Sequence, residues 1–473
     1  MSDWLKLLPE ILLSLTLGLV IAWDLAIPPR GRKSALCWTS LLGLVAAGIL
    51  VWTVPGGAFG GAFIQDLLAR FLKTLVLGSA ALVLLSSWDF DQVWGRPLGE
   101  YLALLLSSTL GMLFIASGNE LVLLYVGLEL ATFPLVLLTA YRPSDVKSAE
   151  GGLKYLIIAG LGSAIFLFGL SLVFATTGVT RISLLANAVA TGFGPLLILG
   201  VLCMLAGIGF KLGLVPFHMW APDTYEGAPT PVTAFLSVAS KTAGFALALR
   251  VLASALPGVR AEWGMVLAVL SAASMFLGNL AAIPQTNLKR LMAYSSIAQA
   301  GYIVMGLVAF ETIGLSSLLF YLAAYLFTNL AAFGVVIAIE RSTGSTDLPA
   351  YMGLAQRSPR LALILMLALL SLAGIPPLAG FTAKFYLFAA VYGQGYVWLV
   401  FLGVINSAIS LYYYLRVVRA LYIAPPEAEA PSLKPLPGAL TTVLTLTMVG
   451  ILLLGVYPGP VVAVARAAVS AWF

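Results

Sequence analysis

The sequence predicts an all-α polytopic membrane protein of about fourteen transmembrane helices, built as two inverted five-helix repeats that each contain a broken helix. Three observations predict it. Hydrophobic residues make up 61% of the 473-residue chain and charged residues only 9%, against about 25% charged in an ordinary soluble domain. Apolar runs of about 20 residues, the length that crosses a bilayer, recur along nearly the whole chain and leave no room for a soluble domain of ordinary size. Five lysines (Lys73, Lys154, Lys211, Lys241 and Lys384) and Glu129 stand inside those runs. A charge at the centre of a membrane helix costs roughly 2.5–3.5 kcal/mol on insertion scales, and its default reading is a path for ions or protons.

In chain order the spans fall near 4–26, 34–54, 67–87, 98–118, 120–141, 146–176, 194–221, 229–254, 262–283, 287–309, 313–340, 359–391, 394–421 and 437–460. The first carries Asp3, Lys6 and Glu10 in a stretch too long for a signal h-region, so it is expected to stay in the membrane. Gly56-Gly57 and Gly60-Gly61 read as a turn-rich loop, and no Lys-Ser/Thr follows them as a phosphate loop requires. The fourth and fifth spans join tightly at Ser117-Gly118-Asn119. The segment 146–176 is too long for one straight span and is expected to begin in the interface.

Loop charge orients the bundle. Fourteen lysines and arginines fall in odd-numbered loops, among them Arg96, Arg142, Lys147, Lys289 and Arg290; six fall elsewhere, among them Arg250. The positive-inside rule then puts odd loops in the cytoplasm and both termini on the opposite, periplasmic side. The remaining five basic residues are the lysines within spans, so every mid-membrane cation reads as Lys and none as Arg. A buried lysine can lose its proton, whereas arginine effectively never does. The net charge of +6 reflects these loops and implies no nucleic acid. Two cysteines, Cys37 and Cys203, are too few for an iron–sulfur cluster. Both lie in apolar segments, where no disulfide is expected. One histidine, His218, excludes a bis-histidine haem within the chain and leaves no metal site.

Two spans carry helix breakers at mid-depth, Gly213 with Pro216 and Gly374 with Pro377, separated by one offset of 161 residues. Broken helices at matching positions point to inverted repeats with an ion site between them. The organisation expected is an N-terminal three-helix segment (1–97), a first repeat (98–258), a second repeat (259–421), and a cytoplasmic loop with a C-terminal helix (422–473). Asn119 and Tyr155 match Asn287 and Tyr321 more loosely.

The polar residues string through both repeats. Glu129 lies about nine residues into the fifth span, Lys154 early in the sixth, Lys211 beside the first break, Lys241 near the middle of the eighth span and Lys384 after the second break. A Glu–Lys pair poised between ionised and neutral forms can move a proton on a modest change of distance. A row of lysines can then relay it, with Ser237, Ser240, Tyr294, Ser295, Thr328 and Tyr412 as candidate hydroxyls. Lys73, near a helix start, is expected to snorkel to the interface, and His218 to be a hydrogen-bonded interfacial residue.

The run KLGLVPFHMWAPDTYEGAPTPVTAFLSVASK from Lys211 to Lys241 resembles the antiporter-like membrane subunits of respiratory complex I, NADH-quinone oxidoreductase, and among them the subunit N type. NLKRLMAYSSIAQAGYIVMG (287–306) and GIPPLAGFTAKFYLF (374–388) extend the likeness. The resemblance implies a proton-translocating subunit of the membrane arm. It assigns Glu129 and Lys211 to the pair governing one half-channel, Lys241 to the central relay, Lys384 to the exit, and Lys154 to an extra lysine on helix six. Lysine at 384 and the short tail argue against the sister M and L types. The resemblance implies no cofactor in this chain, with flavin, iron–sulfur clusters and quinone in partner subunits. It further implies M-type and K-type neighbours in a lipid bilayer; the membrane expected is a bacterial plasma membrane, although the sequence leaves inner mitochondrial and thylakoid membranes open. A cation/proton antiporter subunit and a non-transporting structural subunit remain the alternatives.

Overall fold

Inside hydrocarbon a backbone must satisfy its own amides, and a helix does so within a single segment. The computed structural model describes residues 3–26, 29–89, 97–190, 194–425 and 432–472, and these are helical almost throughout. The helices are α1 (Leu8–Ala26), α2 (Pro29–Thr53), α3 (Leu67–Ser86), α4 (Leu98–Ser117), α5 (Leu121–Thr139), α6 (Val146–Thr177) and α7 (Pro195–Leu212). They continue as α8 (Thr230–Ala255), α9 (Arg260–Ala282), α10 (Leu288–Val308), α11 (Thr312–Thr343), α12 (Pro359–Ala373), α13 (Ala379–Gly393), α14 (Val397–Tyr422), α15 (Gly438–Val456) and α16 (Gly459–Val469).

Among the described residues thirteen helical segments are long and apolar enough to cross a membrane, and they coincide with thirteen of the fourteen expected spans. The other expected span, 359–391, is divided into α12 and α13 around Gly374-Pro377. The helix α16 begins where the last expected span closes; Pro458-Gly459-Pro460 reads as a stop, but a proline in the first turn is compatible with a new helix. Arg96 and residues 426–431 of the expected cytoplasmic loop lie outside the described residues.

The glycine-rich loop is a small hairpin, β1 (Gly57–Phe59) paired antiparallel with β2 (Phe63–Gln65). Its turn holds Gly60 and Gly61 at φ +58° and +78°, a region that residues with a Cβ rarely enter. The hairpin secures the α4–α5 join. The Asn119 backbone N–H donates to Ala62 O at 2.7 Å and its side-chain amide to Gly61 O at 2.8 Å.

The two halves repeat in detail. The helices α6 and α11 are each 32 residues long and end at a left-handed glycine, Gly178 (φ +67°) and Gly344 (φ +71°). The preceding Thr177 and Thr343 hydroxyls donate to Val179 O and Ser345 O. Just beyond, single antiparallel bridges join Glu120 to Arg181 and Asn287 to Asp347. Close helix crossings recur as well: a Cβ at Gly111 would meet Ala131 N at 2.4 Å, and one at Gly278 would meet Ala298 N at 2.6 Å.

Enclosure differs sharply among the helices. The most apolar stretch of α8 is wholly buried, and those of α10 and α11 are 94% buried, while those of α1, α2, α6 and α14 are mostly open. A helix that is apolar all round and wholly enclosed belongs at the centre of a bundle. The lysines of interest lie on or against these central helices.

Candidate functional site

The helix α7 carries Lys211 in its last turn and stops at Gly213, φ +70°. Lys211 is 2% exposed, and its Nζ donates to Thr132 Oγ1 of α5 at 2.8 Å. Glu129 lies one turn before Thr132 on the same helix face. Its carboxylate accepts from Ser163 of α6, and it is half-buried. Glu129 and Lys211 therefore make no direct ion pair; Thr132 holds the amine and Ser163 holds the acid. The expected pairing is replaced by two hydroxyl contacts, which leaves both groups hydrogen-bonded in their apolar surroundings.

Lys241 is the first residue after a π-helical turn, Leu236–Ser240, and a second such turn, Leu249–Ala255, closes the helix. Turns of this kind inside an α-helix recur at functional sites. Lys241 is 5% exposed and donates to the backbone carbonyl of Ser296 on α10. One turn on, Gly244 lets the stem of Lys211 lie against α8: a Cβ there would meet Lys211 Cγ at 3.2 Å and Leu212 Cδ2 at 2.9 Å. The missing side chain brings the two lysine-bearing helices together.

Lys384 projects from α13 back to the break. Its Nζ donates to Ala373 O and Ser407 Oγ, both at 3.1 Å, and lies 4.4 Å from the centroid of the Tyr302 ring. Gly374, φ +91°, serves twice here. It permits the left-handed turn, and a Cβ would sit 3.0 Å from Lys384 Cδ.

A polar stripe on α10 joins Lys241 to Lys384. Ser296, Gln299 and Tyr302 follow at intervals of three residues, close to one helical turn. Tyr321 donates to Gln299 Oε1 at 2.5 Å, and Gln299 Nε2 donates to Leu372 O at 3.1 Å. The stripe ends where Ser407 Oγ donates to Tyr302 Oη at 3.3 Å, and Ser407 also accepts from Lys384. None of Ser296, Gln299, Tyr302 and Ser407 was among the expected hydroxyls and amides. Their spacing was readable, but their partners come from segments up to about a hundred residues away.

The expected hydroxyls divide. Ser295 reaches Tyr414 Oη at 2.5 Å, and Thr328 reaches Ser371 at 3.2 Å. Ser237 donates to Ala234 O one turn back, and the buried Ser240 hydroxyl faces the Tyr155 phenol. Tyr294 is only partly buried, and Tyr412 is 63% exposed, away from the stripe. His218, just past the break, stands within hydrogen-bonding reach of the Pro216 backbone.

Four cations sit elsewhere than expected. Lys154 is 41% exposed and pairs with Glu150 and Asp223, both at 2.6 Å; it belongs to a surface cluster, apart from the other four site residues. Lys73 does not snorkel. It is fully buried, 2.6 Å from Glu10 Oε1, bonded to Gln65 Oε1 at 2.6 Å and 4.7 Å from the Phe63 ring centroid. Hairpin and α1 close over it. Arg250, counted with the loop charges although the expected span 229–254 contains it, lies within α8; it is 4% exposed and paired with Asp66 at 2.7 Å. The expectation that only lysines are buried in spans fails at this residue. Lys289, also read as a loop charge, is 1% exposed in the first turn of α10 and donates to Ala228 O at 2.6 Å.

At the open end of the central helices, the short helix Trp220–Gly227 carries Asp223 and Glu226. Arg290 bridges them, at 2.6 Å from Asp223 and 3.0 Å from Glu226, and Lys147 binds Glu226 at 2.7 Å. Burial alone would raise both carboxyls, but these cationic partners outweigh it and hold each below the usual carboxylate range. Both cysteines are free, and among the described residues no group of three or more His, Cys, Asp or Glu is placed to hold a metal.

A multi-pass bundle with two glycine–proline breaks, and with protonatable groups enclosed on successive central helices, is an antiporter-like membrane protein. Residues 118–410 match the model of the family described as NADH:quinone oxidoreductase/Mrp antiporter, transmembrane region; the chain belongs to this family, in the branch of NADH-quinone oxidoreductase subunit N. Its similarity to "NADH-quinone oxidoreductase subunit N" of Desulforamulus reducens is 46% identity, covering 95% of this chain and 94% of that protein. A chain of respiratory complex I from Thermus thermophilus superposes with a TM-score of 0.83 at 35% identity, over 96% of this chain and 98% of that one. A chain of the Mrp complex from Dietzia sp. shares the fold, with a TM-score of 0.85 at 22% identity over 100% and 97% of the two chains.

Proposed function

We propose that this chain is a proton-translocating membrane-arm subunit of an NADH-quinone oxidoreductase, and that Glu129, Lys211, Lys241 and Lys384 are its relay. The observation that supports this reading is the succession of buried polar groups on adjoining central helices. Thr132 joins Lys211 to the helix of Glu129, Gly244 packs Lys211 against the helix of Lys241, and the α10 stripe runs from Lys241 to Lys384. Lys154 assists from the surface cluster rather than from mid-membrane. The duplicated caps, bridges and breaks support two repeats, 98–258 and 259–421; with α12 and α13 taken as one broken span, each has five crossings, and an odd number makes the second inverted.

Redox chemistry takes place in partner subunits that hold flavin, iron–sulfur clusters and quinone, with M-type and K-type neighbours beside this chain. Energy arriving through those neighbours draws Glu129 and Lys211 together or apart and so changes the proton affinity of Lys211. The proton then passes to Lys241 and leaves at Lys384. The membrane is a bacterial plasma membrane, with both termini on the periplasmic side.

The test is Lys211→Ala and Glu129→Ala in the assembled complex. Proton pumping is expected to fall while quinone reduction is far less affected; normal pumping in both variants removes the mechanism. The fold shared with the Mrp complex favours one second reading, a cation/proton antiporter subunit. Sodium-dependent proton flux by the isolated chain in liposomes would decide for it.

A further inference from the structure

We propose that Tyr225 and Ser296 carry protons from the Asp223/Glu226 cluster to Lys241. The inference rests on the relay reading above and names its uptake route. Tyr225 sits between the two acids on the short helix Trp220–Gly227, but its side chain turns inward and is 1% exposed. Its hydroxyl lies 3.1 Å from Ser296 Oγ, and either oxygen can be the donor. Ser296 is also the residue whose carbonyl holds the Lys241 amine. One serine therefore meets the phenol at its hydroxyl and the lysine at its carbonyl.

The repeat places this segment opposite the exit. The offset of 161 residues that carries Gly213 and Pro216 onto Gly374 and Pro377 carries Asp223 onto Lys384 and Tyr225 onto Tyr386. In inverted halves, equivalent positions face opposite sides of the membrane. If Lys384 serves release on one side, its counterpart Asp223 stands at uptake on the other.

The step balances without net chemistry. A neutral Lys241 amine takes a proton from a water bridging it to the Ser296 hydroxyl, that water takes the Ser296 proton, and Ser296 takes that of Tyr225. Tyr225 is reprotonated by water at the Asp223 and Glu226 carboxylates, which their cationic partners keep ionised. Each oxygen loses one O–H bond and gains one, and one proton is delivered. Burial pushes the Tyr225 phenol well above its ordinary value, so the hand-over is concerted and leaves no tyrosinate.

The experiment compares Tyr225→Phe, Ser296→Ala and Lys241→Leu in the assembled complex in membrane vesicles, reading protons moved per quinone reduced and the amount of complex assembled. Tyr225→Phe and Ser296→Ala each remove one oxygen and are expected to lose the same share of pumping as Lys241→Leu, with quinone reduction retained. Normal pumping in either hydroxyl variant, with Lys241→Leu impaired, overturns this inference and leaves the relay standing. Normal pumping in Lys241→Leu overturns the relay itself. A variant that fails to assemble is replaced in the comparison by the other, since both interrupt the same hand-over.

Discussion

Replacing Asp66 by Asn isolates one buried ion pair. Arg250 Nη1 and Nη2 reach the two Asp66 oxygens at 2.7 and 2.8 Å, and the guanidinium also donates to Ala116 O at 3.1 and 2.8 Å. Asp66 additionally caps α3 by accepting from Ala69 N at 2.7 Å. Asn caps a helix as well as Asp does, so Asp66→Asn removes the charge while keeping the cap. Breaking a buried pair costs about 3–5 kcal/mol. The carboxylate is 32% exposed and two carbonyl bonds persist, so the expected loss is about 2–3 kcal/mol.

The same pair sets a pH signature. Burial would raise the Asp66 carboxyl, but the Arg250 charge, its hydrogen bonds and the Ala69 N–H outweigh it and hold the group below the usual range. A depressed folded-state value gives stability that is present above the unfolded value, about 3.9, and lost as pH falls through the folded one. Unfolding of the detergent-solubilised chain by SDS titration, for both forms at several pH values, reads the difference and cancels the other acids. The gap should be constant above about pH 4 and shrink below it. A gap under about 0.5 kcal/mol, or one that does not change with pH, would refute the reasoning.

Three further outcomes are expected. Lys73→Met should destabilise the chain by about 3–5 kcal/mol, because it strands the Glu10 carboxylate, and the double variant with Glu10→Gln should recover most of that loss in the same titration. Gly374→Ala should cost about 1–2 kcal/mol for its left-handed backbone and should also crowd Lys384; Gly178→Ala, where a Cβ meets nothing within 4 Å, reads the backbone cost alone. Arg290→Gln removes the cation shared by Asp223 and Glu226, so both carboxyls should move upward; the infrared band of the protonated acid should then appear at higher pH than in the unaltered chain.

Hydropathy made the class and the positions of the spans legible, since each helix must bring its own length of apolar sequence. The two breaks were legible too, because glycine and proline act locally. Glu129, Lys211, Lys241 and Lys384 stood out because a charge in an apolar run is costly to insert and rare without a role. What escaped was whatever depends on contact between distant segments. Glu10 and Lys73 meet across 63 residues, and Ser407 meets Tyr302 across 105. Arg250 was counted with the loop charges although its span already enclosed it, and the carboxylate that pairs with it, Asp66, lies 184 residues away. Lys154 read as mid-membrane because a long apolar run follows it directly, although the first turns of α6 also carry Lys147, Ser148 and Glu150, and Asp223 and Glu150 draw its amine outward.

The enclosure of α8, α10 and α11 has an electrical consequence. On the proposed relay, a proton passing along these three helices is shielded by the helices around them, so its solvation would be set by neighbouring dipoles more than by the lipid composition. Altering membrane thickness or headgroup should leave the energies of those internal stations nearly unchanged, whereas swapping a single hydroxyl or amide beside them should retune one station at a time.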